Sequence, residues 1–181
     1  MILGSETRAT MGNLIANKEV RKIFPIQDHI WMTTAGGVAD AQRLVRLMQV
    51  ETNLYQIERD RKITVDATAS LLANVLHDNR WFPFWVQLLI GGYDSKPRLY
   101  SLDALGSVLE EKVVSTGSGS PFAYGLLEGA YKEEKTIEEN LPIAARAIKA
   151  AISRDAFSGN NINLLAITAK GYKEIDAAKY L

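Results

Sequence analysis

Lys22 is one residue of this sequence whose type and position could do chemistry. It closes the polar run 17–22 and stands directly before two large apolar residues, so the strand that begins there could carry it into a sheet interior. A buried lysine shifts its pKa and can act as a base or as a charge partner, whereas an exposed lysine at a strand start does neither. The residue types alone leave both possibilities open. Glu6 and Arg8 alternate along the first predicted strand, and a surface ion pair is the simplest expectation for them.

Two glycine-containing segments could offer backbone donors to an anion. Gly36-Gly37 lies between a predicted strand and a predicted helix, where amide groups near a helix N-terminus can bind an anion or a developing oxyanion. The segment 116–120, Thr-Gly-Ser-Gly-Ser, lacks the spacing and the lysine of a nucleotide-binding P-loop. A turn that needs glycine dihedral angles is the stronger interpretation of the second segment and also accounts for the first.

Composition excludes several other chemistries. The 181 residues include no cysteine, which excludes disulfides, thiol catalysis and thiolate metal sites. The two histidines, His29 and His77, are too few for a histidine metal cluster, and we expect both at edges or on the surface. We therefore expect no metal and no cofactor, and chemistry that comes from Lys, Ser, Thr, Asp, Glu and backbone groups.

Charge and hydropathy are those of an ordinary globular protein. The 21 basic and 21 acidic residues leave no net charge to attract nucleic acid or an anionic membrane. The chain has no run of about 18 apolar residues and no signal-peptide pattern at its N-terminus, so we expect a cytoplasmic protein that binds neither nucleic acid nor membrane. The length predicts a single domain over residues 1–181 with room for a sizeable core.

The elements that must position these residues follow from the periodicity of the chain. Helices are expected after Gly37, after the N-cap Thr64, over 121–131, and after a capping box at Thr136, with Pro142 delaying or kinking the last one. The first helix carries two apolar stripes, which suggests packing on two sides. Strands are predicted at 2–5, 14–16, 23–26 and 30–34 as an antiparallel meander, and then at 84–92, 98–102, 108–114, 162–168 and 172–175. This order predicts an α+β fold, a four-layer αββα sandwich of two antiparallel sheets flanked by helix pairs.

Six stretches, in this order and at this spacing, resemble the β-type subunits of archaeal proteasome core particles. They are residues 8–12, Lys22, and residues 33–40, 84–92, 116–120 and 154–159. The resemblance covers nearly the whole chain. It implies an N-terminal nucleophile hydrolase, in which a threonine exposed by removal of a propeptide attacks a peptide carbonyl and its free α-amino group accepts the proton.

The resemblance also implies roles for individual residues. Lys22 matches the lysine that lowers the pKa of the nucleophile, and Glu6 stands where an aspartate usually bonds that lysine. The extra methylene of Glu6 is expected to move the carboxylate by roughly a bond length, enough to disturb such a site. Three residues match those that organise the N-terminus and its water, namely Ser118, Asp155 and Ser158. Gly36 matches the glycine whose N–H points into the oxyanion hole.

Substrate and partners follow from the same resemblance. Thr10 matches a backbone clamp that holds the substrate as an added strand. The first specificity pocket would be lined by Ala9, Val20, Thr34 and Val38, which are small or apolar and favour apolar residues on the acyl side of the cut. The implied partners are other β-type subunits in a ring of seven, α-type subunits of the core particle, and unfolded polypeptide as substrate.

The chain departs from the resemblance at its start. Members of the family begin with the threonine and a strand of about ten residues ahead of the position of Met1, so the chain as printed is expected to be inactive by itself. A misassigned initiation codon is the preferred explanation, and a deliberate truncation is the second. The alternative function is a non-catalytic subunit that only builds the ring.

Overall fold

The computed structural model describes residues 1–181 and has a five-stranded antiparallel sheet at its centre. Its strands lie side by side in chain order: β4 (Ile23–Gln27), β5 (Ile30–Gly36), β6 (Val86–Tyr93), β7 (Pro97–Leu102) and β8 (Val108–Glu110). Strand β6 is apolar on both faces because both are covered. Leu88 and Ile90 pack toward helices, whereas Leu89 packs toward the second sheet.

The second sheet has three antiparallel strands in the order β1 (Ile2–Glu6), β9 (Ile162–Thr168) and β10 (Gly171–Asp176). It faces the larger sheet across a core to which Leu3, Trp31 and Ile167 contribute. A separate hairpin, β2 (Ala9–Met11) and β3 (Leu14–Asn17), turns at Gly12, whose φ of 58° lies in the left-handed region that glycine adopts readily.

Helix pairs cover the outer face of each sheet. Helices α1 (Val38–Arg59) and α2 (Val65–Asp78) pack on the five-stranded sheet, and α4 (Ile137–Arg154) packs on β1 and β9 with α3 (Ser120–Ala130) beside it. The Thr64 hydroxyl caps α2, and the predicted capping box of Thr136 and Glu139 opens α4. The four-layer αββα sandwich is therefore confirmed. None of these helices combines the length and the apolar character needed to cross a membrane.

Three local expectations are wrong. The first strands do not form one meander, because β1 pairs with β9 rather than with its neighbour in sequence. The strand expected over 108–114 ends at Glu110, and Pro142 does not delay α4, which begins at Ile137 and continues through it. On the second apolar stripe of α1, Val50, Leu54 and Ile57 are exposed, so packing on that side would need a partner outside this chain and stays a prediction. Periodicity indicates an element and its faces, but it does not specify which strand pairs with which.

Candidate active site

Lys22 and Glu6 form an ion pair at the point where the two sheets come together. Lys22 lies immediately before β4 and Glu6 ends β1, and the Lys22 ammonium contacts the Glu6 carboxylate directly. Both side chains are largely sequestered, with 22% and 15% of their surface exposed. Lys22 is therefore partly buried and paired, at the wall of a cleft rather than in the interior of a sheet. The longer side chain of Glu6 does not separate the pair.

The carboxylate of Glu6 is held from a second direction by the backbone. Its other oxygen accepts hydrogen bonds from the amide of Arg8 at 2.6 Å and from the amide of Gly159 at 3.1 Å. With the lysine on one oxygen and two amides on the other, the carboxylate has little freedom to rotate. The pair consequently fixes the position of a positive charge.

Asp155 is the centre of a second polar group. It is the C-terminal cap of α4, and its Oδ2 accepts a hydrogen bond of 2.6 Å from the hydroxyl of Ser118 and another of 2.6 Å from the hydroxyl of Ser158. Ser118 comes from the loop before α3, and Ser158 from the loop between α4 and β9. The structure thus brings together Ser118, Asp155 and Ser158, the three residues that the resemblance assigns to the N-terminus and its water.

Opposing effects act on the acidity of Asp155. Its partial burial would raise the pKa, but the hydrogen bonds from Ser118 and Ser158, the amide of Phe157 and the positive charge of Arg8 together lower the pKa below its ordinary value of 3.8. The carboxylate is therefore ionised at neutral pH and acts only as an acceptor. Each serine hydroxyl that it orients keeps its lone pairs for a further hydrogen bond.

Arg8 joins the two groups, although the sequence did not indicate this. The expected ion pair with Glu6 is wrong, because the Glu6 carboxylate turns to Lys22 while the Arg8 guanidinium reaches the loop after α4. There it donates to the carbonyl of Ala156 at 2.8 Å and to the side-chain oxygen of Asn160 at 3.3 Å. It thereby supports the loop that carries Ser158.

Thr7 is a second residue that sequence reasoning missed. Only 5% of it is exposed, and its hydroxyl donates to the carbonyl of Lys18 at 2.6 Å and accepts from the amide of Asn161 at 3.1 Å. Its backbone amide bonds Gly159, and its carbonyl accepts from the amide of Val20. The available indication was its position between Glu6 and Arg8, where a strand ends and a short polar side chain can replace ladder hydrogen bonds.

Gly36 ends β5 at the turn into α1 and has a φ of 106°, which other residues rarely adopt. A side chain there would overlap the carbonyl oxygen of Trp85. That carbonyl accepts a hydrogen bond of 2.7 Å from the amide of Gly37, while the amide of Trp85 donates to the Asp40 carboxylate at 2.9 Å. The start of β6 therefore clamps the turn that the resemblance assigns to the oxyanion hole.

The candidate catalytic residues other than Asp155 border one cleft with a volume of about 2530 Å³. Glu6, Lys22, Ser118 and Ser158 lie along it, with Gly36. The residues assigned to substrate binding border the same cleft, namely Ala9, Thr10, Val20, Thr34 and Val38. Each of the six segments that carry the resemblance thus contributes to one site.

Gln87 links the serine loop to the sheet. It is a lone polar residue in the apolar strand β6, and its side-chain oxygen accepts a hydrogen bond of 2.9 Å from the amide of Gly117. The polar residue in an otherwise apolar run was the indication of this contact. Gly117 has a φ of 92°, which glycine adopts readily, so the loop can take the conformation in which this hydrogen bond forms.

The arrangement can assist a nucleophile that enters the cleft. The Lys22 ammonium can stabilise a developing negative charge, the two oriented serine hydroxyls can bind an amine or a water molecule, and the turn at Gly36 borders the same space. None of the residues described is itself placed as an activated nucleophile with a base in hydrogen-bond contact. Such an arrangement can support acyl transfer to a nucleophile that these residues do not themselves provide.

Comparison with known proteins gives a consistent result. A family model described as "Proteasome subunit" matches residues 1–167. The protein named "Proteasome subunit beta" of Methanosphaerula palustris is 51% identical over 177 residues, which cover 97% of this chain and 84% of the relative. The protein of the same name from Methanosarcina barkeri is 50% identical over 178 residues, with 97% and 84% coverage, and that from Methanocorpusculum labreanum is 51% identical over 181 residues, with 99% and 85% coverage.

Proposed function

Because the chain belongs to the proteasome subunit family, as a β-type subunit of the core particle, we propose that it forms a peptide-bond hydrolase site of the threonine type. The observation that carries the proposal is the Lys22–Glu6 pair on the wall of the cleft that also holds Ser118 and Ser158. A lone ion pair could be structural. An ion pair that shares a cleft with two aspartate-oriented serines has the composition of a catalytic site.

The proposed reaction needs an N-terminal threonine, which residues 1–181 do not supply, and the hydroxyl of that threonine attacks the carbonyl carbon of a peptide bond. The free α-amino group of that threonine accepts the hydroxyl proton. The Lys22 ammonium stabilises the negative charge that develops on the threonine side-chain oxygen. The C–N bond then breaks, and the leaving amine takes the proton. Water hydrolyses the ester that results and restores the hydroxyl. The amide of Gly36 is assigned to the carbonyl oxygen during both steps.

Ser118, Asp155 and Ser158 are assigned to the α-amino group and to the hydrolytic water. The protons of both hydroxyls are donated to one carboxylate, so their lone pairs can accept a hydrogen bond from an ammonium group, from the N–H of a neutral amine or from water. The ionised Asp155 keeps both hydroxyls oriented at neutral pH. This assignment explains why a peptidase can work without histidine or cysteine.

The substrate is proposed to be unfolded polypeptide bound as an added strand along Thr10. The small or apolar lining of the first pocket, Ala9, Val20, Thr34 and Val38, then selects apolar residues on the acyl side of the cut. Assembly with other subunits of a core particle belongs to the family. A seven-membered ring, contact with α-type subunits and a cytoplasmic location are part of the proposal.

Peptide hydrolysis by core particles that contain this gene product tests the proposal. Two peptides that differ only on the acyl side of the cut, leucine against aspartate, should be cleaved with a clear preference for leucine. Cleavage of neither peptide would favour a subunit that only builds the ring. Reading the codons upstream of Met1 is an independent test, in which an in-frame threonine followed by an apolar alternating strand supports the enzyme and a stop codon contradicts it.

A further inference from the structure

The loop that joins α2 to β6 presents three large aromatic side chains to solvent. The exposed fractions are 79% for Trp81, 90% for Phe82 and 81% for Trp85. Such side chains gain much from burial when they meet an apolar partner. Trp85 alone among the three borders the catalytic cleft, where it stands beside Gly36, Gly37 and Val38.

The backbone of Trp85 is held rigidly at this position. Its carbonyl accepts the amide of Gly37 at 2.7 Å, and its amide donates to the Asp40 carboxylate at 2.9 Å. The neighbours of Trp85 in sequence, Phe84 and Val86, are 8% and 3% exposed and belong to the core under α1 and α2. The indole of Trp85 is exposed between these two buried neighbours, and a backbone fixed by hydrogen bonds lowers the entropy that binding would cost.

The surface that includes Trp85 is continuous with the first specificity pocket. Val38 belongs to that pocket by assignment, is 47% exposed and begins α1 one residue after Gly37, whose amide bonds the Trp85 carbonyl. A polypeptide that lies along Thr10 and reaches Gly36 runs beside this turn. The indole therefore borders the path of such a polypeptide next to the first pocket.

We propose that Trp85 forms a second apolar subsite, which binds an aromatic or large aliphatic side chain of the polypeptide substrate next to the residue in the first pocket. The subsite rests on the proposed function, because its occupant is another side chain of the same substrate. It makes selection depend on two substrate residues rather than one. Unfolded chains that expose apolar clusters are then preferred over chains with isolated apolar residues.

Peptide hydrolysis by assembled core particles tests the subsite. The peptides share leucine in the first pocket and carry either phenylalanine or alanine at one neighbouring position, scanned on each side of the cut. Trp85→Ala should raise KM for the best phenylalanine peptide about tenfold and leave KM for its alanine counterpart unchanged, because an aromatic contact is lost in the first case only. The value of kcat should stay the same, and Trp85→Phe should restore most of the affinity.

Trp81→Ala is the matched control, since Trp81 is equally exposed on the same loop but does not border the cleft. It should leave every peptide unaffected. The subsite is refuted if Trp85→Ala changes no peptide, if it changes all peptides equally, or if it alters the size of the assembled particle, which would place the indole against another subunit.

A binding measurement separates the subsite from the proposed chemistry. Fluorescence anisotropy of a fluorescein-labelled, unstructured peptide rich in phenylalanine needs no turnover. If core particles bind this peptide about tenfold more weakly after Trp85→Ala but cleave nothing, the subsite stands and the peptidase proposal fails. If they cleave leucine peptides and binding is insensitive to Trp85, the peptidase stands and the subsite fails.

Discussion

Replacing Asp155 with asparagine should destabilise the chain in a pH-dependent way. The carboxylate accepts two serine hydroxyl bonds of 2.6 Å and an amide bond of 3.3 Å from Phe157. Hydrogen bonds to a charged group stabilise by about 1.5–3 kcal/mol each, but Asp155 is partly open to solvent and asparagine retains one acceptor oxygen. We therefore expect Asp155→Asn to lower the free energy of unfolding by about 2 kcal/mol at neutral pH.

The sign of the pH dependence follows from the lowered pKa of Asp155. The pKa of this carboxyl is lower in the folded chain than its ordinary value of 3.8. Its contribution to the free energy of unfolding is therefore complete above pH 3.8 and is lost as the pH falls through the lowered pKa. Asparagine has no such titration. The difference between the parent and the variant should therefore be largest near neutral pH and should shrink below about pH 4.

Urea denaturation followed by circular dichroism measures both effects, near neutral pH and at about pH 3. Asp78→Asn is the matched control, because Asp78 is exposed at the end of α2, and it should change stability little at either pH. Equal stability of Asp155→Asn and the parent at neutral pH, or a difference that stays constant on acidification, would show that the two serines do not depend on an ionised Asp155.

Two further substitutions test the turn at the cleft and the outer helix layer. Gly36→Ala should abolish peptide hydrolysis by core particles and lower their thermal stability, because the new side chain overlaps the carbonyl of Trp85 and position 36 has a φ of 106°. Retained activity would mean that hydrolysis does not depend on this conformation of the turn. Thr136→Ala should cost about 1 kcal/mol in urea denaturation by removing the cap of α4, with kcat of core particles unchanged. A loss of kcat there would mean that α4 transmits strain to Asp155 at its other end.

The fold was largely predictable because local chemistry determines most of it. The periodic helices, the caps at Thr64 and Thr136, and the apolar strand β6 appear where the sequence placed them. Pairing between distant strands was not predictable. Strand β1 pairs with β9, about 160 residues further along the chain, and the sequence of neither strand indicates which strand it pairs with. The sequence could not say what covers the second stripe of α1, because an apolar face looks the same in sequence whether the chain itself or another subunit covers it.

The candidate site also has residues that the sequence indicated and residues that it did not. Lys22, Ser118 and Asp155 were selected by resemblance, and residue chemistry alone could not have joined them, because three separate loops bring them together. Arg8 and Asp40 were missed for a related reason. Each acts on a backbone group contributed by a distant segment, at Ala156 and at Trp85 respectively, and a charged side chain that binds a backbone group leaves no pattern in sequence.

The central claim is that Lys22 supports catalysis, and the kcat of core particles carrying Lys22→Ala tests it most directly. Lys18→Ala is the matched control, because Lys18 is an exposed lysine four residues away that lies outside the cleft. With particle size verified by gel filtration, we expect Lys22→Ala to lower kcat on a leucine peptide by about 10²-fold or more and Lys18→Ala to leave it unchanged. A Lys22→Ala particle that assembles and retains kcat within about twofold of the parent would contradict the role assigned to the Lys22–Glu6 pair.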